Sequence, residues 1–170
     1  LTSLAPTATQ LSPLVGHDYS AAYGLNGAGI VVGESGGDAE TVAVYWPAGS
    51  TTATPLSTDG ITPGAHSAAY SLSDQNLVVG EAGVGNGNTV AIYWPKLDGD
   101  PVELTGLSSN LGSAAYFVNN EGLIVGESRN TLGEFQAVAW VPTDNGYDDP
   151  TPLATLANQV ASAAFGVDIE

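Results

Sequence analysis

Residues 20–35 read SAAYGLNGAGIVVGES, and the chain returns to this pattern twice, as SAAYSLSDQNLVVGEA over 67–82 and SAAYFVNNEGLIVGES over 113–128. A shorter return, SAAF, stands at 162–165, and the four serines are 47, 46 and 49 residues apart. Outward from each full copy comes an aromatic segment: TVAVYWP from Thr41, TVAIYWP from Thr89 and QAVAWVP from Gln136. An extended Pro/Leu segment follows in turn: ATPLS from Ala53, PVELTGL from Pro101 and TPLATL from Thr151. Self-similarity at a period of about 46 residues is the mark of a repeat architecture.

Each repeat thus offers four strand-length segments rich in Val, Ile, Leu, Tyr and Trp, and none sustains helical periodicity for three turns. The first and second segments are joined by Asn26-Gly27-Ala28-Gly29, Ser73-Asp74-Gln75-Asn76 and Asn119-Asn120-Glu121-Gly122. The fourth position is Gly, Asn and Gly, residues that tolerate positive φ, so a short hairpin ending in a left-handed residue is expected. Pro47, Pro95 and Pro142 remove a ladder donor and mark the end of the aromatic strand.

The sequence therefore predicts an all-β fold of β-propeller-like tandem repeats, four antiparallel strands to a repeat. A β-solenoid or a stacked β-sandwich is the alternative architecture. The small Ser-Ala-Ala segment suits an inner strand near a crowded axis, and the Trp46, Trp94 and Trp140 segments suit packing between neighbouring repeats. Boundaries fall at 1–19 for the end of a preceding repeat, then 20–66, 67–112 and 113–161 for three full repeats. Residues 162–170 form the first strand of a further one.

Composition narrows the function. The chain has 170 residues, 43% of them hydrophobic, enough for one sizeable core. No run approaches the ~20 apolar residues of a helical membrane span, so none is expected. With no Cys, disulfide scaffolds, thiolate metal sites and cysteine nucleophiles are excluded. The absence of Met and of a leader pattern points to a processed product or a piece of a longer precursor. Eighteen acidic residues against Lys96 and Arg129 give a net charge of −16. Nucleic-acid binding needs clustered Lys and Arg, so it is not expected. Cations such as calcium, or a basic partner, are the natural counterparts, while acidity also keeps a Gly-rich β protein in solution.

The pattern A-x-G-[IL]-N-x-x-G-x-V-V-G-x-S, followed by an A-x-x-W strand, resembles the HAF family of extracellular repeats. Ala22, Gly24, Leu25, Asn26, Gly29, Val31, Val32, Gly33 and Ser35 carry it, with Ala43 and Trp46. The third repeat matches through Asn119, Gly122, Val125, Gly126 and Ser128 and departs at Phe117. The second departs at Ser71, Ser73 and Asn76. The resemblance implies a secreted or surface-exposed bacterial propeller-like protein, and it implies no reaction.

The residues themselves give little chemistry. His17 and His66 occupy different repeat positions, and the nearby Ser20 and Ser67 recur where no His accompanies them, which is poor material for a nucleophile and base. No enzyme is expected, a hydrolase or lyase being the least favoured reading. Glu34, Glu81 and Glu127 follow the second-segment Gly in each repeat, so the repeat places them as a symmetric set. Such carboxylates repel unless a cation or hydrogen-bond donors separate them. They are candidate metal ligands, as are Asp98 and Asp100 in one acid-rich loop and Asp144, Asp148 and Asp149 in another. Calcium is the metal these oxygens would take, although such residues are also ordinary turn formers. No other cofactor is expected.

The leading expectation is a non-catalytic extracellular or cell-surface structural and interaction protein, joining copies of itself head to tail into a filament through incomplete terminal strands. The alternative is a ligand-binding propeller module that recognises a glycan or a cation-bridged partner.

Overall fold

A computed structural model of the chain describes residues 8–61, 65–109, 111–156 and 159–168. The outermost parts of the first and last expected segments, 1–7 and 169–170, lie outside the described residues. The fold is all-β, and among the described residues no helix is long and apolar enough to cross a membrane.

Three four-stranded antiparallel sheets follow one another along the chain. Sheet 1 holds β1 (Tyr19–Leu25), β2 (Val31–Gly36), β3 (Thr41–Trp46) and β4 (Thr54–Pro55) in that order. Sheet 2 repeats it with β5 (Ser67–Leu72), β6 (Val78–Gly83), β7 (Thr89–Trp94) and β8 (Val102–Glu103). Sheet 3 has β9 (Ser113–Val118), β10 (Ile124–Arg129), β11 (Phe135–Trp140) and β14 (Thr151–Pro152). A small hairpin, β12 (Pro142–Thr143) with β13 (Gly146–Tyr147), is inserted between β11 and β14. It occupies the stretch that reads in sequence as an acid-rich loop.

The first turn of every sheet is built the same way. Asn26 Oδ1 accepts the N–H groups of Ala28 and Ile30, Ser73 Oγ those of Gln75 and Leu77, and Asn119 Oδ1 those of Glu121 and Leu123. These side chains mimic a backbone turn. The residue that closes it lies at positive φ: Gly29 at 84°, Asn76 at 65° and Gly122 at 83°.

Each first strand carries a bulge at its aromatic residue. The ladder skips Tyr23 between Ala22 and Gly24, Tyr70 between Ala69 and Ser71, and Tyr116 between Ala115 and Phe117. An extra residue bends the strand and re-aims its side chain. The bulge presses the carbonyl of Ala21, Ala68 or Ala114 into the place where a Cβ would stand on Gly33, Gly80 or Gly126. This contact explains the glycine of every VVGE or IVGE segment.

The sheets pack face against face. Val32, Ala43 and Leu56 from sheet 1 meet Ala69, Leu72, Val78, Ile92 and Trp94 from sheet 2. Val79, Ala91 and Leu104 then meet Ala115, Val118, Ile124, Val138 and Trp140 from sheet 3. Successive strand residues point to opposite faces. In the Val78-Val79 pair, one residue therefore faces sheet 1 and the other sheet 3. A strand buried on both faces needs apolar residues in succession, which is why these segments do not alternate.

Two recurrent hydrogen bonds tie sheet to sheet. The serine opening each SAA segment accepts an N–H from the third strand of the preceding sheet: Ala43 to Ser67 and Ala91 to Ser113, both 2.9 Å. Each tryptophan Nε1 donates to the preceding Pro/Leu segment, Trp94 to the Ser57 carbonyl at 2.7 Å and Trp140 to that of Thr105 at 2.8 Å. A buried indole N–H left without a partner is costly, so these bonds fix the depth at which the sheets meet.

Candidate functional site

The bulged aromatics come together in a row. Ring centroids lie 5.5 Å apart from Tyr23 to Tyr70, 5.4 Å from Tyr70 to Tyr116 and 4.8 Å from Tyr116 to Phe165. The first strands of successive sheets thus run side by side, with one ring from each in the series. These separations fall in the favourable range for tilted and stacked rings.

The three glutamates lie along this row. Tyr70 Oη donates to Glu81 Oε1 at 2.8 Å, and Tyr116 Oη to Glu127 Oε1 at 2.8 Å. Burial, with Glu34 beside it, pushes the Tyr23 hydroxyl up to about 12. Burial and the Glu81 charge push Tyr70 up, and burial and Glu127 do the same to Tyr116. The phenols therefore keep their protons and serve as donors. The donor that separates these repeating carboxylates is a hydroxyl of the same repeat. Its signal in the sequence is the constant eleven-residue step from Tyr70 to Glu81 and from Tyr116 to Glu127.

Sheet 2 adds a histidine. His66 Nε2 lies 3.0 Å from Glu81 Oε1. The hydrogen bond to Glu81 raises the His66 pKa above 6.5, against the opposing effect of burial. Burial by itself would raise the Glu81 carboxyl. The hydrogen bonds from His66, Tyr70 and Thr89 outweigh it and hold the group below its ordinary 4.5. His66 turns toward this carboxylate, whereas Ser67 Oγ accepts the Ala43 N–H. His17 Nδ1 meets Ser35 Oγ at 3.0 Å, and Ser20 Oγ donates to the Leu11 carbonyl. The two histidines and the recurrent serines are thus engaged in separate structural contacts.

The remaining acidic candidates lie apart from the row. Asp98 sits 3.3 Å from Lys96 Nζ, and Asp100 Oδ1 accepts the Ser57 hydroxyl at 2.9 Å. Asp144 is in the turn of the inserted hairpin, and Asp148 and Asp149 follow its second strand. The hairpin is fastened to sheet 3 by Tyr147, whose hydroxyl donates to the Gly122 carbonyl at 2.9 Å and whose ring packs edge-on to Tyr93. Among the described residues, no three His, Asp or Glu side chains converge closely enough to hold a metal ion.

The two ends of the stack form the other notable surface. Leu25, Leu72 and Val118 are equivalent, yet Leu25 is 68% exposed while Leu72 and Val118 are 6% and 2% exposed. Among the described residues no full sheet lies before sheet 1, so this face is open. At the other end, Leu153 is 39% exposed, while its equivalents Leu56 and Leu104 are 3% and 2% exposed. No protein-family model, curated protein or solved structure matches this chain.

Each end is partly covered by a terminal segment. Leu11 and Leu14 pack on Val44 and Trp46, and Trp46 Nε1 donates to the Ser12 carbonyl at 3.0 Å. Residues 8–14 thus fill the place that a Pro/Leu segment fills inside the stack. Ser162 Oγ accepts the Ala137 N–H at 2.9 Å, as Ser67 and Ser113 do in their own positions. Residues 162–168 therefore lie where a first strand belongs, although the described part forms no ladder. The repeated motif was readable in sequence. The half-covered state of the ends was not, because it depends on which face each terminal segment seats against.

Proposed function

We propose that this chain is a non-catalytic extracellular structural module whose stack of sheets continues head to tail through further copies. The observation that carries this reading is the pair of end faces. The face of sheet 1 that bears Leu25 is the same one that sheets 2 and 3 bury against a preceding sheet. The face of sheet 3 that bears Leu153 is the one that sheets 1 and 2 bury against a following sheet. A heterologous contact between two such faces propagates as a linear assembly when the rotation from copy to copy does not close it into a ring. Burial of a leucine side chain stabilises by about 1.5–3 kcal/mol, so exposing two at matching ends favours association.

A propeller-like arrangement is supported by the side-by-side first strands and their aromatic row. The extracellular assignment rests on the resemblance to HAF repeats. The second reading, a glycan-binding module, draws on a cleft of about 480 Å³ lined by Tyr23, Leu25, Asp74, Phe117 and Asn120. The exposed Tyr23 ring, beside amide and carboxylate groups, suits a neutral sugar.

Sedimentation velocity over a range of concentrations separates the two. The structural reading expects mass to grow with concentration and expects Leu25→Asp to abolish that growth. A monomer at every concentration that binds a neutral oligosaccharide saturably would favour the second reading.

A further inference from the structure

We infer that residues 8–14 and 159–168 are placeholders for the sheets of a neighbouring copy, and that copies join by exchanging them. This rests on the head-to-tail reading above and adds how the junction is made.

The repeat itself is the argument, because the tryptophan bond, the serine bond and the ring contact of the placeholders each have a counterpart inside the stack. The Ser12 carbonyl takes Trp46 Nε1 as those of Ser57 and Thr105 take Trp94 and Trp140. Each of these acceptors follows the leucine of its Pro/Leu segment, and the matching residue at the far end of the chain is Ala154. Ser162 Oγ takes the Ala137 N–H as Ser67 takes that of Ala43. Phe165 stacks on Tyr116 where a sheet would supply a tyrosine.

The match at the C-terminal end is incomplete at one atom. Asn26 Nδ2 donates to the Ser73 carbonyl at 3.2 Å and to Asn76 Oδ1 at 3.0 Å, both in the turn of the next sheet. Asn119 occupies the same position in sheet 3, is 7% exposed, and its Nδ2 is buried with no partner. A buried donor without an acceptor is a standing cost that native structures rarely leave unexplained. The segment over it reproduces the start of a first strand and leaves this donor without the acceptor that a complete turn supplies to Asn26.

A second copy has that turn. The Asn26 carbonyl accepts the Gly29 N–H, as the Ser73 carbonyl accepts that of Asn76, and Ser73 also takes the amide from the preceding sheet. When sheet 1 of one copy seats on sheet 3 of another in the same register, Asn119 Nδ2 reaches the Asn26 carbonyl. Ser20 Oγ replaces Ser162 for Ala137, and Trp46 Nε1 exchanges the Ser12 carbonyl for that of Ala154. The exchange replaces the Trp46 and Ala137 bonds like for like, adds the one missing at Asn119 and buries Leu25 and Leu153. The tethered segments compete at high local concentration, so joining is slowed until they leave.

The test is a light-scattering time course of the 170-residue chain beside two variants. Ser162→Ala with Phe165→Ala loosens the placeholder without touching the junction, and should assemble about tenfold faster. Asn119→Ser keeps the turn chemistry of Ser73 but removes the Nδ2 amide that reaches across the junction, and should assemble less than the parent while remaining folded by circular dichroism. If the parent assembles and the loosened variant is no faster, the placeholder inference is overturned and the head-to-tail reading stands. Failure of all three chains to assemble overturns both.

Discussion

Tyr70 donates its hydroxyl to Glu81 Oε1 at 2.8 Å, and the bulge that aims Tyr70 at that carboxylate is the one that denies Gly80 a side chain. A recurrent glycine, a recurrent aromatic and a recurrent acid are therefore one device. The glycine admits the bulge, the bulge turns the ring, and the hydroxyl holds the carboxylate.

Replacing that glycine tests the device. In Gly80→Ala the new methyl meets the Ala68 carbonyl, a backbone atom with little room to retreat. Overpacking of this kind costs about 1–3 kcal/mol. Urea denaturation should show that loss, and Gly126→Ala should behave alike because it meets the Ala114 carbonyl.

Tyr70→Phe removes the hydroxyl and keeps the ring row. A net loss of about 1.5–3 kcal/mol is expected, the range for a hydrogen bond to a charged group. The Glu81 carboxyl also loses a donor that holds its pKa down, so its titration should move upward by NMR.

The His66–Glu81 pair gives sheet 2 a pH signature. His66 has a raised pKa in the fold, so its contribution is complete below 6.5 and fades as pH climbs through the higher folded value. Glu81 has a lowered one, so its contribution is complete above 4.5 and fades as pH falls through the folded value. The pair stabilises most between those limits. Urea midpoints measured against pH should decline on the alkaline side of 6.5, and His66→Gln should flatten that decline.

Leu72→Ala and Leu25→Ala compare a buried residue with its exposed equivalent. The first empties a place in the core and should cost about 2–5 kcal/mol. The second should change monomer stability by no more than about 0.5 kcal/mol, as substitutions away from packed features do. Thermal denaturation at low concentration reads both, and association should be weakened by Leu25→Ala alone at equal folded fraction.

Much of this architecture is legible in the residues. The Asn26, Ser73 and Asn119 turns and the positive φ at Gly29, Asn76 and Gly122 follow from local chemistry that needs no distant partner. The two-faced burial at Val78 and Val79 is visible as an unbroken apolar run. The bulge is harder to read, because Tyr70 and Gly80 each have innocent explanations until their strands are placed in register. The hairpin at Pro142–Thr143 and Gly146–Tyr147 was obscured by its acidic turn residues. The missing partner of Asn119 lies furthest from the sequence, since Asn26 with the same residue type is satisfied. Only the position of the next sheet distinguishes them.

The central claim is that the two ends of this stack are complementary faces. Negative-stain electron microscopy of the concentrated 170-residue chain tests it most directly. Linear particles of one width that lengthen with concentration, and that are lost in Leu25→Asp, are the expected result. Discrete particles of single-chain size at every concentration would contradict it.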